Sequence, residues 1–197
     1  MDFIGLPTNY DCDDFNTIVE YYPVTTVPDA LQGWAFKLIQ SNTQKFYENS
    51  SIGWNASDKL KELSEAGARY LIARQVHTIN NNIIIGNPIG FVMFQFTFEE
   101  TMADDDSKIE TIYCYEIQLT EEARNKGLGT FLMNTMEGIG KYWGMKKSML
   151  TAFKENTAAL NFYCNHLGYE IDEISPSRCV DPEYIDDYDY EILSKRL

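Results

Sequence analysis

The chain has 197 residues, 44% of them hydrophobic and 14% aromatic, which fits one globular domain with room for a core. No apolar run approaches the roughly 20 residues of a membrane span, and the opening Met1-Asp2-Phe3 carries no sign of a secretory signal. A net charge of −14 argues against nucleic acid as a direct ligand, since phosphate binding needs a basic surface, but it permits a basic partner.

Residues 1–30 read as an irregular N-terminal arm, with an acidic cluster at Asp11, Asp13 and Asp14 and with Pro23 and Pro28 near its end. Residues 31–197 read as a single domain. Trp34 to Ile39 alternates as a strand does, and Ser41 or Asn42 can cap a short helix after it. Ser57 can cap a second helix, with Leu60 and Leu63 on one face and Gly67 as its stop. Strands are expected at Tyr70–Val76, Ile89–Phe98 and Ile109–Leu119. Asn80-Asn81-Asn82 and Asp104-Asp105-Asp106 mark the turns between them. A helix over Gly127–Tyr142, a strand over Lys146–Phe153 and a helix over Asn156–His166 follow. Tyr169–Ile174 and Tyr188–Leu193 can be two last strands. The pattern is mixed α/β in one domain, without internal repeats.

The cysteines Cys12, Cys114, Cys164 and Cys179 form no CxxC pair, so free thiols are expected. His77 and His166 are isolated, which suggests no metal site.

Chemistry is concentrated in Arg124-Asn125-Lys126-Gly127-Leu128-Gly129-Thr130, just after the strand ending Glu116-Ile117-Gln118-Leu119. A strand gives way to a basic, glycine-bearing turn that opens a helix. Such a helix start offers unpaired N–H groups and partial positive charge, and glycine lets a pyrophosphate approach the backbone. The spacing R-x-x-G-x-G is neither a P-loop nor the Rossmann fingerprint. Taken alone, the turn could equally be a helix cap with incidental basic residues.

A second element follows in order: Asn156-x-x-Ala159-x-x-Phe162-Tyr163, then Leu167-Gly168-Tyr169. The two together resemble the GNAT superfamily of acetyltransferases, whose cofactor loop reads Q/R-x-x-G-x-G/A. The resemblance implies a GNAT fold (α+β): a mixed central β-sheet with two splayed strands, flanked by helices, and acetyl-CoA as cosubstrate without a metal. It implies that Gln118, Leu119 and Thr120 hold pantetheine. Arg124, Lys126, Gly127, Leu128, Gly129, Thr130 and Phe131 would hold the pyrophosphate, and Asn156 would touch the cofactor. Tyr163 would stand near the sulfur, where a phenol can protonate the departing thiolate; packing on the helix face is the plainer role.

Ile112 to Leu119, Met149-Leu150-Thr151, Ser175-Pro176-Ser177 and Tyr190-Glu191-Ile192-Leu193-Ser194 resemble the N-terminal acetyltransferase D family, which acetylates the α-amine of core histones beginning Ser-Gly-Arg-Gly. The likeness implies Glu116 as general base, directly or through water, with Tyr113, Tyr115 and Tyr163 around the reacting groups. It implies acceptor contacts from Tyr47, Glu99, Glu100, Thr101, Tyr115, Thr151, Ser175 and Tyr190, the two glutamates facing an arginine at the third peptide position. In a regular strand Glu116 would face away from Tyr113 and Tyr115, and a bulge would re-aim it. Glu116 could instead pair with a basic group. Ile52 departs from the family, which has an aromatic there. Basic protein N-termini such as histone tails are the implied partners, in cytoplasm and nucleus, and one short chain carrying its own acceptor site suggests action as a monomer without an auxiliary subunit. Two readings stay open beside this one: a lysine or small-amine acetyltransferase, and a non-catalytic module of the same fold.

Overall fold

The structure is a computed structural model that describes residues 8–12, 15–79, 82–103 and 107–197. Two strands open it, β1 (Asn9–Cys12) and β2 (Phe15–Pro23). The helices α1 (Asp29–Glu48) and α2 (Ala56–Leu63) follow. Three long strands come next: β3 (Arg69–Ile79), β4 (Asn82–Glu100) and β5 (Lys108–Leu119). After α3 (Leu128–Tyr142) and β6 (Lys147–Phe153), α4 (Thr157–Asn161) runs into a π-helical turn at Phe162–His166. The chain ends with β7 (Glu170–Ile171), α5 (Pro176–Cys179), a 3-10 turn at Pro182–Asp187 and β8 (Tyr190–Arg196).

The strands form one mixed sheet in the order β1-β2-β3-β4-β5-β6-β8-β7. Every neighbouring pair is antiparallel except β5 and β6. A parallel pair needs a crossover, and α3 supplies it. The sheet divides the apolar interior in two. Leu71, Val92, Ile112, Cys114 and Leu150 face α3 and the end of α4, while Tyr70, Ile72, Phe91 and Met93 face α1 and α2.

Several expectations are corrected. Trp34–Ile39 is helical: Leu31, Ala35 and Ile39, spaced by four, are buried, while Trp34, Phe36 and Leu38 flank that stripe on the same helix. The alternation of the bulky residues imitated a strand, and neither Ser41 nor Asn42 is a cap. The described part of the N-terminal arm is not irregular, because Phe15, Thr17 and Val19 alternate inward and β2 pairs along β3. Asn55, not Ser57, caps α2, accepting from Ser57 N and Asp58 N, and the helix stops at Leu63 well before Gly67. Leu60 is exposed while Lys59 shares the buried face with Leu63. Of Tyr169–Ile174 only two residues pair as a strand. The expected features at Asp13, Asp14, Asn80, Asn81 and Asp104-Asp105-Asp106 lie outside the described residues.

Candidate active site

β5 and β6 pair only from Thr111/Lys147 to Cys114/Leu150. Beyond that point β6 keeps its pairing with β8 as far as Phe153/Tyr190, while β5 stays on β4 as far as Leu119/Gly90. The two strands therefore part, and each leaves an unpaired edge facing the other. A cleft of about 810 Å³ opens in the gap, running from the N-terminus of α3 to the point of divergence. A second cavity of about 380 Å³ lies on the α1/α2 side and shares Tyr47, Cys114, Tyr115, Thr151 and Phe153 with the first.

A bulge decides which way Glu116 faces, and Glu116 lines the wide cleft beside the second cavity. Met93 pairs with Glu116 and Phe94 with Cys114, so Tyr115 is the extra residue. Before it, Cys114 points at α3, where its thiol meets Met133. After it, Glu116 points at α2. The bulge thus puts Glu116 on the side of Tyr113, as a regular strand would not.

Glu116 is buried and not free. Lys59 Nζ donates to its Oε1 at 2.9 Å and Gln118 Nε2 donates to its Oε2 at 2.9 Å. Lys59, itself buried, also donates to Glu62 Oε1 at 2.8 Å and to the Tyr47 hydroxyl at 2.9 Å, which uses all three of its protons. Burial alone would lower the pKa of Lys59. Glu116, followed by Tyr47 and Glu62, outweighs burial and holds it above the ordinary lysine range. The same burial raises Tyr47, with Glu116 adding to it. Glu99 lines this cavity and has no ion-pair partner among the described residues.

The hydroxyls of Tyr113 and Thr151 meet at 2.5 Å, one residue either side of the last β5/β6 pair. Burial pushes the Tyr113 phenol up, and burial with Glu65 and Glu99 does the same for Tyr115. Tyr163 lies in the core beneath the wide cleft, 9% exposed, and its hydroxyl has no hydrogen-bond partner among the described residues. Burial, then Cys114 and Glu116, drives its pKa far up, so it stays a proton donor. Cys114 is likewise raised by burial, which disfavours a thiolate nucleophile.

At the other end, Asn125 and Gly127 both take positive φ, 59° and 76°, and turn the chain into α3. Gly129 lies against Phe162, whose ring a Cβ there would meet at 3.2 Å. Arg124 Nη2 donates to Asn42 Oδ1 at 2.7 Å. Gln118, Leu119, Arg124, Gly127, Gly129, Thr130 and Asn156 line the cleft; the Asn156 side chain also caps α4 by accepting from Ala159 N. Thr120, Lys126, Leu128 and Phe131 are not among its lining residues. Thr120 Oγ1 binds the Ile89 carbonyl, Lys126 Nζ lies over the Phe15 ring at 4.4 Å, Leu128 is core, and Phe131 packs on Tyr10.

Of the expected acceptor residues, Tyr47, Glu99, Tyr115 and Thr151 line the second cavity. Glu100, Thr101 and Tyr190 do not: Glu100 is exposed and stands opposite Lys108 in the β4/β5 ladder, Thr101 bonds Ser107, and Tyr190 meets Tyr188 edge to face. Ser175 is wholly buried, donating to Glu191 at 2.6 Å and accepting from Ile192 N, and lines neither cavity. Lys59, Glu62 and Asn42 were missed. The signal for Lys59 was its spacing of four from Leu63, which places a cation on an apolar face.

The family model described as the acetyltransferase (GNAT) family matches residues 37–169. Solved structures of the same fold include a GNAT-family acetyltransferase from Staphylococcus aureus Mu50, 14% identical, with 92% of this chain and 99% of that chain covered and a TM-score of 0.59. The NatC complex bound to Gag peptide and CoA is 18% identical, covering 91% and 98%, with a TM-score of 0.56. Arabidopsis thaliana Naa50 in complex with the bisubstrate analogue CoA-Ac-MVNAL is 16% identical, covering 91% and 99%, with a TM-score of 0.53. At these identities the likeness is one of fold. With the family model spanning most of the chain, the protein belongs to the GNAT acetyltransferases, which use acetyl-CoA. The split sheet, the cleft volume and the glycine turn at a helix start fit that cosubstrate. Among the described residues no group of His, Cys, Asp and Glu could hold a metal ion, and no helix is long and apolar enough to cross a membrane.

Proposed function

We propose that the protein acetylates the α-amine of proteins with basic N-termini, core histones beginning Ser-Gly-Arg-Gly in particular, as the N-terminal acetyltransferase D resemblance implies. The observation that carries this reading is the charge of the acceptor cavity. Glu62, Glu99 and the adjoining Glu116 stand against Lys59 alone, and Lys59 is already spent on two of them. The surplus favours a substrate bearing two cations, an α-ammonium and a nearby guanidinium, with Glu99 as the free carboxylate for the latter. Fold neighbours solved with peptide-type ligands, the NatC complex and Naa50, are in keeping with a peptide as acceptor.

Acetyl-CoA supplies an activated acetyl thioester when bound, between the β5 and β6 edges and the turn at Arg124–Thr130. The acceptor amine must be neutral to attack. An α-ammonium with a pKa of about 7.7–8.0 loses its proton to a modest base. Each oxygen of Glu116 accepts one hydrogen bond in the structure and keeps a lone pair for that proton, directly or through water. The amine then attacks the carbonyl carbon and the C–S bond breaks; the proton shed by the acylated nitrogen ends on the departing thiolate, with the Tyr163 phenol placed to pass it on. No covalent acyl-enzyme is needed. Tyr47, Tyr115 and Phe153 wall the approach. Substrates of this kind are met in cytoplasm and nucleus, where we place the protein, acting as a single chain.

Three peptides test the reading: Ser-Gly-Arg-Gly-Lys with a free α-amine, the same peptide with that amine blocked, and one with its arginine changed to alanine. Mass-verified transfer to the α-amine of the first alone is the expected result. Equal transfer to the blocked peptide would make the protein a lysine acetyltransferase. Transfer to none, with CoA still bound, would point to another amine or to a binding module.

A further inference from the structure

An unbroken line of polar contacts joins the two cavities. From Lys59 it passes to Glu116, then to Gln118, whose Oε1 accepts from Asn42 Nδ2 at 3.0 Å, and Asn42 Oδ1 accepts from Arg124 Nη2 at 2.7 Å. The line therefore starts in the acceptor cavity on α2, crosses β5, passes through α1 and ends at the turn that opens α3.

Its direction is fixed at both ends. A guanidinium can only donate, so Asn42 must turn its oxygen toward Arg124. The Asn42 nitrogen is then committed to Gln118 Oε1 and to the Leu119 carbonyl at 3.1 Å. That commitment leaves the Gln118 nitrogen facing Glu116 Oε2, which accepts from it at 2.9 Å. Neither amide can flip without setting donor against donor or oxygen against oxygen. Among the described residues, Asn42 is the one side chain hydrogen-bonded to both Gln118 and Arg124. Arg124 uses Nη2 on Asn42 and on the Leu119 carbonyl at 3.4 Å, which leaves Nη1 and Nε without a protein partner among the described residues.

We propose that Asn42 is a positioning residue shared by both ends of the site: its oxygen fixes the Arg124 guanidinium at the phosphate end of the cleft, and its nitrogen, through Gln118, fixes the Glu116 carboxylate at the acceptor end. The second half rests on the role given to Glu116 above; the first half does not. Asn42 touches neither reacting group itself. A half-buried residue on an otherwise intact α1 can be truncated without loss of the fold, which a melting curve verifies.

The test is a pair of double-mutant cycles. Calorimetric titration with CoA reads the phosphate end, and kcat at saturating acetyl-CoA with the Ser-Gly-Arg-Gly-Lys peptide reads the acceptor end. Asn42→Ala should weaken CoA binding and lower kcat by about tenfold each, the worth of one hydrogen bond lost at each end. Asn42→Ala combined with Arg124→Ala should bind CoA no worse than the weaker single variant, to within about twofold. Combined with Gln118→Leu it should turn over no more slowly than the slower single variant, because groups acting as a unit are not additive. A role limited to holding α1 would give additive losses in both cycles. Wild-type CoA affinity in Asn42→Ala, additivity in the CoA cycle, or no CoA binding by the wild type would each overturn the proposal. If the wild type binds CoA but leaves the peptide untouched, the α-amine reading fails while the CoA cycle still decides the role of Asn42.

Discussion

The two ends of the proposed site, one for the cosubstrate's phosphates and one for the acceptor, are built from different materials. The phosphate end is mostly backbone: a helix start, two residues at positive φ and a glycine pressed against Phe162, all within one short stretch of chain. The acceptor end is mostly side chain: Lys59 and Glu62 from α2, Tyr47 from α1, Tyr113 and Glu116 from β5, Thr151 from β6. A backbone cradle serves any cofactor of one shape and tolerates drift around it. A cluster of ionised side chains desolvated together depends on every member, since each removal strands a partner. The same chain can therefore hold one cosubstrate by local motif while fixing its acceptor by long-range packing.

The sharpest way to separate the ends is Glu116→Gln. It should lower kcat by about 10²–10⁴-fold, the usual share of a general base, and leave CoA affinity within about twofold by titration. A fall in CoA affinity as large as that in kcat would mean that the ends are not separable. Lys59→Met should strike stability as well, because it leaves Glu116 and Glu62 buried without their cation. Breaking such a pair costs about 3–5 kcal/mol, to be read from urea unfolding. The sign with pH follows from the raised pKa of Lys59. A lysine raised on folding contributes fully below its unfolded pKa, near 10.4, and loses that contribution only as pH rises through the folded value. The gap between wild type and Lys59→Met should thus stay constant between pH 6 and 9. A gap that shrinks between pH 7 and 9 would mean that Lys59 is not the charged centre of the cluster.

The contrast in materials also explains what the amino-acid sequence disclosed. Arg124 to Thr130 could be read because local backbone geometry demands glycine at fixed spacing, and the strands from Tyr70 to Leu119 could be read from their β-branched and aromatic runs. Lys59 could not, because a lysine looks like surface until its carboxylates arrive from another strand. Glu116 was named, but its facing hung on a bulge at Tyr115 that no local signal marks, since the extra residue is defined only by its pairing with β4. Trp34–Ile39 went wrong because bulky residues at alternate positions overrode a quieter period of four at Leu31, Ala35 and Ile39.

A smaller effect probes the phosphate end. Gly129→Val would drive a branched side chain into the Phe162 ring and toward Leu119, 3.2 and 3.5 Å from the first added carbon. Both neighbours line the cleft. CoA binding should weaken by about 10–100-fold, equivalent to about 1.4–2.8 kcal/mol, with the KM for peptide unchanged at saturating acetyl-CoA. An equal loss of peptide affinity would show the two ends to be mechanically joined at this helix.

The smallest effect marks where the acceptor end stops. Ser175 lies in the stretch whose resemblance to an acceptor-binding family suggested a peptide contact, yet its hydroxyl is shut between Glu191 and the Ile192 amide. Ser175→Ala would leave that amide without its acceptor and remove one of the two hydroxyls, with Ser177, that hold Glu191. The expected cost is about 1–3 kcal/mol of stability from the stranded group. Because the site of the change faces neither cavity, kcat and both KM values should match the wild type at temperatures where the variant is folded. A rise in peptide KM without loss of stability would carry the acceptor end past Tyr113 and Thr151 to the start of α5. It would make the Ser175–Glu191 pair part of the surface that reads the peptide, which the burial of that pair argues against.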